Sequence, residues 1–189
     1  MIPSKDDVRL PGLAMGVDEV YSVLNRQPDR AGPFLIIGRA CGLALDTAFA
    51  VDNGSQALTW PPHGHRHQLW YLGPTGVVGE VSVVSAANGL ALDATSAISG
   101  DIHPVLWEPN GEPWQRWYLQ EAPDGAGYLI QSAHNRRYLT LNDEAEPRWS
   151  PWFEDRHGRQ AQQWLVALPH GPVSRPELPA SHVPGPVLF

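Results

Sequence analysis

The sequence predicts an all-β domain with pseudo-threefold symmetry. The triplet Gln-x-Trp occurs three times, beginning at Gln68, Gln115 and Gln162, so that successive triplets are 47 residues apart. The 189 residues also include 19 prolines and 18 glycines, a composition typical of many turns between short strands. Because the repeats keep the same length without insertions, three similar units are expected.

Each unit is predicted to contain four short strands. In the first unit, the apolar runs 34–37, 43–47 and 57–60 predict three of them, and the fourth is expected to begin at Gln68. The triplets Ala-Cys-Gly, Ala-Asn-Gly and Ala-His-Asn supply turn residues between the first two strands of the three units. Along the fourth strand, the two-residue period places Gln68 and Trp70 on one face.

The tryptophans of the three triplets are predicted to fill the core, where each ring buries roughly 150–250 Å². An inward glutamine without hydrogen-bond partners costs about 1–3 kcal/mol, so the glutamines are expected to bond to the backbone of their own repeat. The triplet is therefore interpreted as structural. Three repeats close a barrel with few exposed strand edges, which a single repeat cannot do.

The repeated units resemble the ricin-B-type lectin family of β-trefoils. The shared features are the 47-residue unit, the Gly-Leu-x-Leu-Asp strand at 42–46 and 89–93, and the terminal Gln-x-Trp. The resemblance covers about residues 33–169 and implies a β-trefoil in which hairpins cap a barrel. The three repeats would span about 34–80, 81–127 and 128–169.

The flanks of the predicted trefoil have a different character. Residues 1–32 are expected to form an N-terminal extension with a short amphipathic helix, because apolar side chains recur at helical spacing at Val17, Val20, Tyr21 and Leu24. Residues 170–189 are expected to form a Pro-rich tail, either an extended strap or a flexible end.

The resemblance also implies where a sugar would bind. In the family, sugar is held by an Asp at the end of the second strand, an aromatic residue on the third, and polar groups just before Gln-x-Trp. A carboxylate accepts hydrogen bonds from two sugar hydroxyls, and an aromatic ring covers the C–H face of the sugar. The matching positions are Asp46, Trp60, His67 and Gln68 in the first repeat and Asp93, Trp107, Trp114 and Gln115 in the second.

Two such sites are expected at most. Strand alternation, with Leu45 inward, predicts that Asp46 points outward, and Trp60 follows it by fourteen residues, as Trp107 follows Asp93. In the third repeat, Thr140 and Glu154 replace the aspartate and the tryptophan. Trp149 and Trp152 lie nearby, either as a different aromatic surface or as packing residues.

Charge and composition limit the partners. The formal net charge of −7 disfavours a nucleic acid or an anionic membrane, and no apolar run reaches the roughly 18 residues of a membrane span. The single cysteine, Cys41, excludes an intrachain disulfide. Without the apolar core of a signal peptide, the chain as written is expected to be cytoplasmic or exported by a non-classical route.

A carbohydrate-binding module without catalytic residues or cofactor is the function expected. One alternative is a protein-interaction or toxin-accessory trefoil whose termini contact a protein partner; another is an enzyme with a loop-built pocket containing His63, His65 or Glu80. The segment 63–67 has alternate histidines, but no carboxylate or thiolate stands beside them in sequence. No metal site is therefore expected there.

Overall fold

The structure, a computed structural model, describes residues 30–94 and 103–169. The helix predicted within residues 1–32 and the Pro-rich tail predicted at 170–189 lie outside the described residues. None of the helices in the described ranges combines the length and the apolar character that crossing a bilayer requires.

The described residues contain thirteen short strands in three repeats. The first repeat contains β1 (Ala31–Gly38), β2 (Ala44–Asp46), β3 (Ser55–Gln56), β4 (Leu58–Trp60) and β5 (Trp70–Pro74). The second contains β6 (Glu80–Ser85), β7 (Ala91–Asp93), β8 (Val105–Trp107) and β9 (Trp117–Glu121). The third contains β10 (Tyr128–Ser132), β11 (Tyr138–Thr140), β12 (Trp152–Glu154) and β13 (Gln163–Ala167).

Six of these strands close a barrel. Antiparallel pairing runs from β1 to β5, β6, β9, β10 and β13, and β13 returns to β1. The hairpins β2–β4, β7–β8 and β11–β12 lie outside this ring, one in each repeat. The predicted all-β, β-trefoil fold is confirmed.

The core lies inside the barrel and beneath the hairpins. The tryptophans of the three triplets, Trp70, Trp117 and Trp164, are fully buried there. The ring of Trp117 stacks on that of Phe153 with centroids 6.0 Å apart, which joins the second repeat to the hairpin of the third. The alternating apolar residues of the first strand of each repeat also face this core.

Each core tryptophan also makes the same hydrogen bond. The indole Nε1–H donates to the carbonyl oxygen of the leucine 25 residues earlier, at 3.0, 3.1 and 2.9 Å in the three repeats. The acceptors are Leu45, Leu92 and Leu139, each in the second strand of its repeat. The indole therefore ties that strand to the barrel.

The glutamines of the triplets hold the loop before them. The Oε1 atoms of Gln68, Gln115 and Gln162 each accept from the backbone N–H five residues earlier at 2.8 Å. Their Nε2 atoms donate to the carbonyl oxygens seven residues earlier, at 2.9–3.1 Å. The expectation that the glutamines bond to the backbone of their own repeat is confirmed.

The start of the fourth strand in each repeat was predicted wrongly. Gln68, Gln115 and Gln162 do not begin the strand; each ends a three-residue 3-10 helix, and the strand begins one or two residues later. The physical reason is the bond pattern just described. An amide that must reach back to a loop five to seven residues earlier needs a tight turn, because an extended strand carries its side chains away from the preceding loop.

The buried tryptophans provide a test of the barrel. Replacing Trp117 by Ala should lower the free energy of unfolding by about 3–5 kcal/mol, since it removes a fully buried aromatic side chain. Trp70→Ala and Trp164→Ala should behave alike, and Trp149→Ala, at an exposed indole, is the matched control with a loss below about 1 kcal/mol. Denaturant unfolding measures all four; a small loss at any core tryptophan would contradict the assignment.

Candidate functional site

The hairpin of the first repeat brings Asp46 and Trp60 to one face. In the register of β2 and β4, Ala44 pairs with Trp60 and Asp46 pairs with Leu58. Side chains of directly paired residues point to the same side of an antiparallel hairpin, and every second residue along a strand does too. Asp46 and Trp60 are therefore diagonal neighbours on the face away from Leu45.

The second repeat reproduces this arrangement. Ala91 pairs with Trp107 and Asp93 pairs with Val105, so Asp93 and Trp107 are also diagonal neighbours. The two tryptophans are equally accessible, each being 39% exposed. The small residues Ala44 and Ala91 stand directly opposite the indoles, which leaves the outer face of each ring uncovered by its strand partner.

The two aspartates lie deeper than strand alternation implies. Asp46 is 5% exposed and Asp93 is fully buried. A carboxylate oxygen of Asp46 accepts from the backbone N–H of Ala48 at 2.6 Å, and one of Asp93 accepts from Nε2 of Gln115 at 2.9 Å. The aspartates occupy the outer face of their strands, but neighbouring loop and side-chain atoms cover them.

In the first repeat, His67 lies beside the same hairpin. Its Nδ1 is 3.3 Å from the hydroxyl oxygen of Thr47, and its ring centroid is 4.0 Å from that of Phe49. Phe49 is 75% exposed and follows Ala48 in a turn where both residues have positive φ, 50° and 63°. Sequence reasoning missed Phe49, whose only signal was an aromatic residue in a loop without a counterpart in the third repeat, where Asp143 stands.

In the second repeat, Trp114 takes the position of His67 but contacts different groups. Its half-buried indole packs against the core and meets the ring of His134 edge-on, with centroids 5.7 Å apart. The backbone carbonyl of Trp114 accepts from the N–H of Ala94 at 2.8 Å, as that of His67 accepts from Thr47 at 2.9 Å. The two positions therefore share a backbone role and differ in their side chains.

His63 is a further neighbour of Asp46. Its Nε2 lies 3.5 Å from Oδ2 of Asp46, and its Nδ1 accepts from the backbone N–H of His65 at 3.1 Å. Partial burial lowers the pKa of His63 below its ordinary value of 6.5; the Asp46 carboxylate acts against this shift, and the nearby His65 and His67 add to it.

The third repeat lacks the aspartate–tryptophan pair. Thr140 is buried and donates to the carbonyl oxygen of Tyr138 at 3.0 Å, and Glu154 lies 3.2 Å from the Nε2 of His157. Tyr138, opposite Glu154, fills the place that the small alanines have in the other repeats. A cavity of about 360 Å³ lies beside this repeat, lined by His103, Trp149, Ser150 and Trp152.

Comparison with known proteins agrees with the β-trefoil fold. The model of the family described as ricin-type beta-trefoil lectin domain-like matches residues 66–150. The resemblance to the ricin-B-type lectin family that the repeats indicate is confirmed. A search of curated proteins gave no match.

Several solved structures share the fold. The designed threefold-symmetric protein ThreeFoil is 23% identical with a TM-score of 0.66, over 72% of this chain and 99% of its own. The C-half of the earthworm R-type lectin, solved in complex with GalNAc, is 21% identical with a TM-score of 0.55, over 74% and 98%. The exo-β-1,3-galactanase 1,3Gal43A of Clostridium thermocellum is 25% identical with a TM-score of 0.61, but this chain spans only 30% of it.

The histidines of 63–67 bear on metal binding. Within residues 30–94 and 103–169, no set of three or more His, Cys, Asp or Glu side chains is grouped as metal ligands would be. The rings of His63 and His65 are tilted by 53° with centroids 4.7 Å apart, and Nδ1 of His63 accepts from the backbone N–H of His65.

Chelation tests the expectation that no metal is bound. A structural zinc ion would contribute directly to the free energy of folding, so the melting temperature of purified protein should be the same with and without EDTA. Differential scanning calorimetry provides the measurement, and a His63→Asn variant is the control. A drop on chelation in the parent that the variant does not show would establish a metal at this loop.

Proposed function

We propose that the chain is a lectin-like module that binds carbohydrate at two sites, one in each of the first two repeats, and that it is not an enzyme. The observation that supports this proposal is the shared geometry of Asp46–Trp60 and Asp93–Trp107. In both repeats a carboxylate and an exposed indole lie on the same face of a hairpin, in the same register.

That combination suits a sugar ring. The indole offers a flat apolar surface to the C–H face of a pyranose. The carboxylate accepts hydrogen bonds from its hydroxyls once the loop and side-chain atoms that cover it move aside. The remaining predicted ligand contacts, His67 and Trp114, stand at equivalent positions beside these faces. Because Gln68 and Gln115 are buried, we assign both to holding the loop, and Gln115 also to holding the carboxylate of Asp93 from behind.

Each site offers a sugar one exposed indole and one covered carboxylate, so each is expected to be weak. A ligand that makes few contacts and displaces water from every hydroxyl binds at roughly millimolar strength, near 4 kcal/mol. Two sites on one rigid body nevertheless bind a multivalent glycan more tightly, because the second contact forms at a high effective concentration. A polysaccharide or a branched glycan is therefore a better ligand than a free monosaccharide.

A protein-interaction or toxin-accessory role is the second candidate. The observation that favours it is the exposure of apolar side chains on two loops, at Phe49, Val51, Val77 and Val78. An enzyme pocket receives less support. The carboxylate of Glu80 is bonded to the hydroxyl of Tyr118 at 2.6 Å and lies 3.4 Å from Arg116, whereas His63 faces Asp46, so these residues belong to separate surroundings.

Conservative substitution of the aspartates tests the lectin proposal. Asp46→Asn and Asp93→Asn should each weaken their own site by about tenfold or more, since a hydrogen bond to a charged acceptor contributes about 1.5–3 kcal/mol. The double variant should lose glycan binding with little change in melting temperature, because Asn keeps an acceptor for the Ala48 or Gln115 donor. A broad glycan array and thermal melting measure both effects.

Thr140→Ser is the matched control, because it alters the equivalent position of the third repeat while keeping the hydroxyl that accepts from Gln162. It should not change binding. If the double aspartate variant bound glycans like the parent, the assigned sites would be wrong, and the cavity between Trp149 and Trp152 would be the place to examine. If the parent bound no glycan on the array, the protein-interaction role would replace the lectin role.

A further inference from the structure

The loop before each Gln-x-Trp triplet is built in the same way in all three repeats. His63, Asn110 and His157 stand at equivalent positions, and the backbone N–H of each donates to the triplet glutamine at 2.8 Å. Their side chains each accept from the backbone N–H two residues later, through Nδ1, Oδ1 and Nδ1, at 3.1, 3.0 and 3.1 Å. The side chain at this position is therefore fixed by the backbone.

In the two histidines this contact also fixes the tautomer. A neutral imidazole carries one N–H proton, on either Nδ1 or Nε2. A ring nitrogen that accepts a hydrogen bond cannot also carry that proton. With Nδ1 of His63 accepting from His65, the proton resides on Nε2, 3.5 Å from Oδ2 of Asp46. His157 shows the same relation to Glu154, with Nε2 3.2 Å from Oε2. The turn thus directs an imidazole N–H toward a carboxylate of its own repeat.

The first and second repeats support their aspartates differently. In the second, Nε2 of Gln115 donates directly to Asp93 at 2.9 Å. In the first, the equivalent Nε2 of Gln68 contacts the carbonyl oxygens of Pro61 and Trp60, at 3.1 and 3.5 Å. The donor that faces Asp46 from this loop is His63.

We propose that His63 is the positioning residue of Asp46 and that it makes ligand binding at the first repeat pH-dependent. This inference rests on the proposed function, because Asp46 is taken as the carboxylate that accepts from the sugar. The second repeat lacks a titratable side chain beside its aspartate in this loop, because Asn110 stands in place of His63 and Gln115 holds Asp93.

The direction of the pH dependence follows from the protonation state of His63 that a bound sugar favours. The titratable side chains around His63 are Asp46 at the end of β2 and His65 and His67 on its own loop. Protonated His63 pairs more strongly with the Asp46 carboxylate than neutral His63 does, although its Nδ1 can then no longer accept from the N–H of His65. Sugar hydroxyls compete with it for the same oxygens. A bound sugar also covers the partly exposed imidazole and disfavours its charged form. Binding therefore releases a proton, and affinity falls as pH drops through the titration of His63.

The burial of His63 sets the pH range over which the affinity for sugar is expected to change. Because its pKa lies below 6.5, the loss of affinity is expected below that value. Above neutral pH the ring is neutral, and binding at the first repeat is at its maximum.

NMR titration of the imidazole tests the positioning role without a ligand. At pH about 7.5, the nitrogen shifts of His63 should show the proton on Nε2. Asp46→Asn should lower the pH at which His63 titrates, because it removes the neighbouring charge that opposes the shift. His157 is the internal control, and its ring signals should not change. A proton on Nδ1 of His63, or a titration unaffected by Asp46→Asn, would overturn the assignment.

Binding of the Asp93→Asn variant, which keeps only the first site, tests the pH dependence. Its apparent affinity on a glycan array should fall about threefold or more between pH about 7.5 and about 5. His63→Asn in the same background copies Asn110, which keeps the backbone bond, and should remove that dependence.

The outcomes separate the two proposals. A dependence that persists in His63→Asn would assign the titration to His65 or His67 and contradict the inference, as would no dependence in either variant. Absence of glycan binding by the parent at any pH would instead contradict the proposed function, while the NMR titration would still decide the positioning role.

Discussion

The indole of each triplet tryptophan forms a buried hydrogen bond to the carbonyl oxygen of the leucine 25 residues earlier. In the first two repeats the residue after that leucine is the aspartate of the candidate site, Asp46 or Asp93. The same contact that completes the core therefore fixes the strand that carries the carboxylate. Without a partner, each indole N–H would remain unsatisfied in an apolar core, so the strand position is set by core energetics.

The glutamine of the triplet extends this constraint to the surface. It holds the loop that contains His63, Asn110 or His157 through the same backbone bonds in every repeat. What differs is the side chain presented on that scaffold. Aspartate and tryptophan occupy the outer face in two repeats, and Thr140 and Glu154 occupy it in the third. A common frame with divergent outer residues is how related folds change ligands while keeping their stability.

Much of the fold was predictable because it depends on repetition. The 47-residue period fixed the number of units, and the need to satisfy a buried amide predicted the bonds of Gln68, Gln115 and Gln162. Other features depend on loop conformation, which the strand period does not contain. Strand alternation predicted that Asp46 lies on the outer face, but it could not predict the loop atoms that bury it. Ala48 has a positive φ that brings Phe49 toward His67, and because it is not a glycine, the sequence does not indicate this turn. The contact between His63 and Asp46 joins positions seventeen residues apart through such a loop.

The most direct measurement of the central claim is a map of amide chemical-shift changes on titration with galactose, N-acetylgalactosamine and N-acetylglucosamine in turn. If sugar is bound by the aspartate–tryptophan faces, at least one sugar should shift signals clustered at Asp46, Trp60 and His67 or at Asp93, Trp107 and Trp114. Signals of the equivalent third-repeat positions, Thr140 and Glu154, should stay unchanged. Shifts confined to the third repeat, or none with any sugar at concentrations of about 10 mM, well above the expected roughly millimolar Kd, would contradict it.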